Sequence, residues 1–373
     1  MLKRFSEIFD TKGRVFGLDA LRFVAIILVV QSHSRWMTES FPKPFKALFH
    51  GSGILGVELF FVLSGFLIGG ILLKQFEKNG NSLTFQDIKH FWIRRWFRTL
   101  PNYFLILLVY IAVYHYDLPA ILWRYFFFTQ NIFNTPPFFF EESWSLSIEE
   151  ISYLISPLVL ALSAILFSKN SNLFLWTSIL LIILVSALRW IYSVYFLEPN
   201  YKWVYMLREV ALIRLDSIYY GFIAVYISRK APEFWKNYRI PTFILGLIGV
   251  VMLMKFENNL MEYNPSHLNN TIFFSLLSIS IAMLLPYLSL LNEIKFTWLA
   301  KLITAVSIIS YSLYLINGGL LAIQFDLLSN KGEGWSVGMA AMMYAFYWIL
   351  CLGLSTLLYV FFEKPFTKLR DKY

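Results

Sequence analysis

The sequence predicts an all-α protein, a polytopic transmembrane helical bundle of about ten spans. Three observations predict it. The 373 residues are 58% hydrophobic, whereas soluble domains run to roughly half. The mean hydropathy is +0.60. Ten stretches also reach the ~17–25 largely apolar residues that a helical crossing needs. They fall at 16–36, 53–73, 100–116, 144–167, 173–196, 209–228, 241–256, 271–291, 302–325 and 335–362. The aromatic share of 19% suits the belts that Trp and Tyr form at membrane interfaces.

Orientation follows from the basic residues. The net charge of +9 does not suggest nucleic acid here, because cytoplasmic loops of membrane proteins carry an excess of Lys and Arg. With the N-terminus inside, 21 of the 32 Lys and Arg fall on the inner side and 8 on the outer, while Arg22, Arg189 and Arg214 lie within spans. The inner set includes Lys3, Arg4, Lys12, Lys169 and Lys372; the outer set includes Lys202 and Lys331. Both termini are therefore expected inside. The first span lacks a short apolar core followed by a small-residue cleavage site, so it reads as retained rather than as a signal peptide. No additional soluble domain is visible, and 1–373 reads as one transmembrane domain in the bilayer.

The first span, Gly17–Trp36, holds two polar intrusions, Arg22 and His33. They are eleven residues apart. At ~100° per residue they return to the same face, about 16 Å apart along the axis. Ionisable groups inside a membrane are costly and mark functional sites. The pair is expected to line one path. Span two carries Glu58 and span four carries Glu149, each about five residues in from the same side as His33. A carboxylate beside a histidine holds its ring and raises its basicity, as a general base requires. Snorkelling or structural pairing is the plainer reading of each alone.

Glu149 and Glu150 separate by stripe. Ser145, Glu149, Ser152, Tyr153 and Ser156 share one helical face, while Glu150 shares another with Leu146 and Leu154. Glu149 is expected to face inward. Ahead of span three, Arg94, Arg95 and Arg98 form a cationic cluster, with Arg95 and Arg98 on one face. Arginine forks bind phosphate; positive-inside anchoring or lipid headgroup contact would use the same residues. The aromatic stretch 118–140 contains Arg124, Gln130, Asn131, Asn134 and three prolines. It reads as re-entrant or interfacial on the outer face, since a crossing there would reverse the charge balance of every later loop.

In span six, Arg214 and Asp216 can pair with neighbouring helices or meet substrate. In span nine, Ser307, Ser310, Tyr314 and Asn317 form a polar stripe that either bonds helix to helix or lines a cavity. Pro365, after Glu363, is expected to stop the last helix. Cys351 is the single cysteine, which excludes an intramolecular disulfide and a cysteine-built metal site. His33, His50, His90, His115 and His267 show no metal-ligand spacing, so no metal is expected. No glycine-rich phosphate loop precedes a Lys-Ser or Lys-Thr, and GSG at 51–53 carries little content.

Taken in order, these elements resemble the acyltransferase 3 family of integral membrane acyltransferases. LDALRFVAIILVVQSH is similar to its Arg-x10-His helix, and GVELFFVLSGFLI to its second-helix signature. Arg95 to Arg98 followed by Pro101 resembles its Arg-x-x-Arg element, and SWSLSIEEISYLISP its Trp-Ser-Leu-x-x-Glu motif. RLDSIYYG, SYSLYLIN and FEKPF resemble later signatures. Asn317 and Gly318 depart from the pattern, standing where a His and a Trp are common.

The resemblance implies a bacterial inner-membrane O-acyltransferase. Acyl-CoA, chiefly acetyl-CoA, would be donated from the cytoplasm to a hydroxyl of a surface polysaccharide or glycolipid. Arg22, Arg94, Arg95 and Arg98 would hold the donor. His33 would act as base or carry the acyl group, and Glu58 or Glu149 would orient it or bind acceptor. Ser145, Tyr153, Arg214, Asp216, Tyr314 and Asn317 would meet substrate. Some members carry a C-terminal esterase-like domain, which this sequence does not show. Two other classes compete: a transporter or flippase of a lipid-linked saccharide, which would favour inverted repeats, and a structural subunit, which would leave Arg22, His33, Glu58 and Glu149 unexplained.

Overall fold

The computed structural model describes residues 7–9, 13–49, 52–167, 170–197, 203–262, 266–329, 332 and 334–370. Lys3, Arg4, Lys12, His50, Gly51, Lys169, Lys202, Lys331 and Lys372 lie outside the described residues. The described residues form helices and no strands. Among the described residues, ten helical stretches are long and apolar enough to cross a membrane, each built on one main helix and some extended by an adjoining turn. The main helices are α1 (Phe16–His33), α2 (Gly53–Lys78), α3 (Phe85–Val113), α4 (Ser143–Leu166) and α5 (Leu173–Tyr195). There follow α6 (Asp216–Lys230), α7 (Arg239–Glu262), α8 (His267–Ala282), α9 (Thr297–Ile316) and α10 (Val337–Leu358).

Helices α2 and α6 are central. Their crossings, counting the turn Ala211–Ile213 with α6, are 61% and 72% buried, against 17% for the crossing on α7, which lies at the edge. Glycine makes the centre possible. A Cβ on Gly65 would strike the Ile218 carbonyl, and one on Gly221 the backbone of Val62 and Phe66. Small residues that let backbones touch are the usual device for packing helices in lipid, where hydrophobicity itself supplies no drive between them.

Two buried ion pairs tie this centre to its neighbours. Arg214, ahead of α6, pairs with Glu58 of α2. Arg189 of α5 grips Asp216 with both terminal guanidinium nitrogens, at 2.9 and 2.7 Å. Arg189 also donates to the carbonyls of Ile213 and Thr271, at 2.8 and 3.0 Å. Ser217 donates to Glu58 at 2.9 Å. Each charge thus meets an opposite charge, without which its burial would be prohibitive. Arg189, Asp216 and Glu58 gain further hydrogen bonds, whereas Arg214 Nε and Nη1 are buried without a hydrogen-bond partner and the guanidinium lies against the Phe274 ring.

Helix α3 begins fifteen residues before the expected 100. Thr84 and Asp87 cap it reciprocally, and the arginines that dilute its hydropathy sit on the same continuous helix. The 118–140 stretch does not cross. Its described helix, Leu122–Phe126, is five residues long. Gln130 donates to Ser147 at 2.6 Å, and Asn131 to the carbonyls of Trp144 and Glu209 at 3.0 and 2.6 Å. These bonds seat the stretch on the start of α4, at the His33 end of the bundle. Pro365 does not end the chain's last helix. A π-turn, Tyr359–Glu363, breaks the ladder, and Pro365 sits in the first turn of a new segment, Lys364–Leu369, where its missing N–H costs nothing.

Candidate active site

Helices α1 and α9 run parallel and meet along the polar stripe of α9. At one end Arg22 donates to Ser307 at 3.2 Å and pairs with Asp19 at 3.3 Å. Ser307 donates to Asp19 at 2.8 Å, and Arg14 also pairs with Asp19. At the other end His33 meets Asn317, with Nδ1 and Oδ1 2.6 Å apart. The ten-residue interval on α9 follows the eleven-residue interval on α1.

The Asn317 contact assigns the histidine tautomer. The Asn317 amide nitrogen donates to the carbonyls of Leu313 and Tyr314, both at 2.9 Å. Its oxygen therefore faces the ring and can only accept. The neutral imidazole must carry its hydrogen on Nδ1, which leaves the Nε2 lone pair for chemistry. Tyr347 of α10 donates to the Asn317 carbonyl at 2.8 Å. The π-turn Asn317–Ala322 starts at this residue, and such turns re-aim side chains at functional sites.

His33 lines a cavity of about 660 Å³ with Arg35, Trp36, Glu141, Glu142, Trp144, Arg208, Glu209 and Glu257. Glu142 is clamped: Tyr110 donates to one oxygen at 2.9 Å and the Gly319 N–H to the other. A Cβ on Gly318 would land on the Glu142 carboxylate, so only glycine fits there. The Arg208 guanidinium lies 4.7 Å from the Trp144 ring centre and donates to the Gly53 carbonyl at 3.1 Å.

Burial raises the carboxyls of Glu141 and Glu142 above the usual range; for Glu141 the neighbouring Glu142 adds to this and His33 offsets it. Burial also pushes Glu209 up to about 7, with Arg208 pulling the other way. A folded chain that holds a proton more tightly than the unfolded chain loses stability as pH rises between the two pKa values. For Glu209 that window runs from 4.5 to about 7. The melting temperature in detergent should therefore fall as pH is raised across this window, and Glu209→Gln should flatten part of the slope. An unchanged slope in that variant would refute the assignment.

A second cavity, of about 370 Å³, lies on the Arg22 side. It is lined by Arg22, Arg95, Arg98 and Glu149, with a wall from Val57 to Ile71 of α2. The Arg95 guanidinium carbon lies 4.5 Å from the Tyr153 ring centre, and Arg95 Nε is buried without a hydrogen-bond partner. That orphaned donor, with two further guanidinium groups on the same cavity, fits an anionic ligand. Tyr153 donates to Glu149 at 3.0 Å and meets the Ser64 hydroxyl at 2.5 Å. Arg94 is on the exposed side of α3 and lines neither cavity.

Several expected groupings are corrected. Arg22 and His33 line different cavities, which share Val57 and Tyr314 as walls. Glu58 and Glu149 do not meet His33. Helix α1 ends at His33 itself, so the histidine sits at the helix end, whereas Glu149 lies six residues into α4. Glu149 accordingly joins the arginine cavity, and Glu58 is held by Arg214. Glu150 is buried and accepts from Thr99 of α3 at 2.7 Å; it does not share the exposure of Leu154. Arg214 and Asp216 are enclosed in the ion pairs described above and line neither cavity. Ser145 and Tyr314 are hydrogen-bonded to each other at 2.5 Å, where the cavities meet.

The carboxylates beside His33, Glu141 and Glu142, were not anticipated. Their position just ahead of α4 was the available signal, since acidic residues are favoured at helix starts. Arg208, at the end of the short helix Trp203–Arg208, and Glu209, which follows it, belong to the same cavity, and nothing in that stretch of sequence marked them out. Among the described residues, no group of three or more His, Cys, Asp or Glu side chains is arranged to hold a metal ion.

A family profile described as "Acyltransferase domain" matches residues 15–361. The peptidoglycan O-acetyltransferase OatA of Listeria monocytogenes is 31% identical over 268 residues, covering 67% of this chain and 40% of that protein. A Staphylococcus aureus protein provisionally named an O-acetyltransferase is 27% identical over 384 aligned positions, covering 94% and 57%. A Bacillus subtilis protein provisionally named a peptidoglycan O-acetyltransferase is 29% identical over 175 residues, covering 42% and 25%. The chain thus spans about half the length, or less, of these relatives. No solved structure matches it.

Proposed function

This chain belongs to the acyltransferase 3 family, and we propose that it moves an acetyl group from cytoplasmic acetyl-CoA to a hydroxyl of a cell-envelope glycan across the bacterial inner membrane. One observation carries the reading. His33, its Nε2 lone pair freed by Asn317, stands in one cavity, and three arginines line a second cavity that abuts it.

The charge balance of the loops supports an inner side at Arg95 and Arg98 and an outer side at His33. Arg95 and Arg98 then hold the donor's phosphates, with Arg22 further in. The pantetheine arm runs along α2 from Ile71 to Val57. Fourteen residues at ~1.5 Å each give it about 21 Å of wall. The acceptor enters the larger cavity among Glu141, Glu209 and Arg208, which bind hydroxyls. His33 Nε2 takes the acceptor's proton as its oxygen adds to the thioester carbonyl. The C–S bond breaks, and the thiolate leaves and is protonated by the imidazolium. The OatA name supports a peptidoglycan or similar acceptor.

The test is membranes containing the full chain, incubated with isotope-labelled acetyl-CoA. Mass spectrometry should find label on glycan hydroxyls; unlabelled glycan and glycolipid fractions would overturn the proposal. Arg95→Gln and Arg98→Gln should each raise KM for acetyl-CoA by about tenfold with kcat nearly kept, the loss of one charge-assisted contact in ground and transition state alike. A fall in kcat alone would remove the arginines from donor binding.

A further inference from the structure

The two cavities are separate, yet the proposed transfer needs the donor's thioester and the acceptor's hydroxyl in contact. What stands between them is small. Val57 and Tyr314 line both cavities. Phe60 lines the arginine cavity and meets the Tyr314 ring edge-on, with centroids 6.4 Å apart. Tyr314 is buried and held by its hydroxyl alone on the polar side: it donates to the Glu142 carbonyl at 3.0 Å and meets Ser145 Oγ at 2.5 Å. It also sits three residues before Asn317, the partner of His33, at which the π-turn begins.

We propose that Tyr314 is a gate between the donor and acceptor cavities, latched on Ser145 and the Glu142 carbonyl, and that with Val57 and Phe60 it sets the length of acyl chain the enzyme accepts. The inference rests on the transferase reading and adds two properties to it. Closed, the ring ends the donor cavity just beyond the room an acetyl group needs, so longer chains are refused. Closed, it also shields the thioester from water in the acceptor cavity. Such water would add to the carbonyl, break the C–S bond and release the free acid and the thiol, wasting the donor. Because Tyr314 and Asn317 are one helical turn apart, movement of the ring off its latch is felt at His33.

The test uses purified full chain in liposomes with acetyl-, butyryl- and hexanoyl-CoA. Two quantities are read: the butyryl-to-acetyl ratio of kcat/KM for transfer, and thiol release without acceptor. Wild type should prefer acetyl and release little thiol. Tyr314→Ala should raise the butyryl-to-acetyl ratio by about tenfold or more, the scale of one or two methylenes in a fitted pocket. It should also raise acceptor-free thiol release several-fold. Val57→Ala widens the opposite wall without touching a hydrogen bond and should raise the ratio in the same direction, which keeps the test decisive if Tyr314→Ala does not accumulate. Tyr314→Phe, keeping the ring and losing the latch, should raise thiol release while leaving chain preference nearly unchanged. If these variants transfer acetyl with wild-type chain preference and wild-type thiol release, the gate is refuted and the transferase reading stands. If wild type transfers no acyl group from any of the three donors, both fall.

Discussion

Replacing His33 with glutamine lowers O-acetyl transfer by about 10²–10⁴-fold, the usual worth of a positioned general base, while the protein still accumulates and binds acetyl-CoA. The expectation rests on one nitrogen. Asn317 offers the ring an acceptor oxygen and no donor, so the proton stays on Nδ1 and Nε2 stays basic. Glutamine keeps some polarity at the helix end but has no nitrogen that can take a proton near neutral pH. Donor binding survives because Arg22, Arg95 and Arg98 line the other cavity. The partner residue gives a graded version. Asn317→Ala leaves the ring free to rotate and to change tautomer, so transfer falls less, by about tenfold, the scale of one lost hydrogen bond. Asn317→Asp restores an acceptor and recovers activity. A radiolabel transfer assay on membranes reads all three. Normal transfer by His33→Gln would remove the histidine from the chemistry, and equal loss in Asn317→Ala and Asn317→Asp would show that the contact does not work through an acceptor oxygen.

The spacing of Arg22 and His33 was legible in the sequence because a helix converts interval into face and height by fixed geometry. The stripe on α9 was legible for the same reason, and the structure sets the two side by side, Ser307 on Arg22 and Asn317 on His33. Which helices touch was not legible. Depth within a span is one coordinate, and three groups at similar depth can still face three directions. Glu58 points toward α6 because Arg214 is buried there and each charge needs the other. Glu149 fell to the arginine cavity because α4 begins at Ser143 and α1 ends at His33. An error of two or three residues at a helix end moves a side chain by about 3–4.5 Å along the axis, most of a helical turn. The start of α3 was hidden for a different reason. Hydropathy finds the apolar part of a helix, whereas Arg94, Arg95 and Arg98 extend α3 beyond it under a Thr84–Asp87 cap. The carboxylates beside His33 lie outside any span, where no periodicity assigns a direction.

Arg214→Ala tests the other half of the architecture and should cost about 3–5 kcal/mol, because removing one partner of a buried ion pair strands the other charge. Glu58 would be left among apolar walls with only hydroxyl donors, Ser217 at 2.9 Å and Ser278 at 3.5 Å. The chain carries its own reporter. Cys351 is the single cysteine and is fully buried on α10, so a thiol-reactive dye in detergent fluoresces only as the bundle opens. The dye transition should move to markedly lower temperature in Arg214→Ala and in Glu58→Ala. The double variant Glu58→Leu with Arg214→Met removes both charges and should recover most of the loss, as apolar replacements of buried ion pairs do. Activity then separates packing from chemistry. The pair lines neither cavity, so the double variant should transfer acetyl groups once it is stable. A double variant that melts like the wild type and transfers nothing would assign Glu58 or Arg214 to the reaction, and the acceptor path would have to be redrawn through α2 and α6.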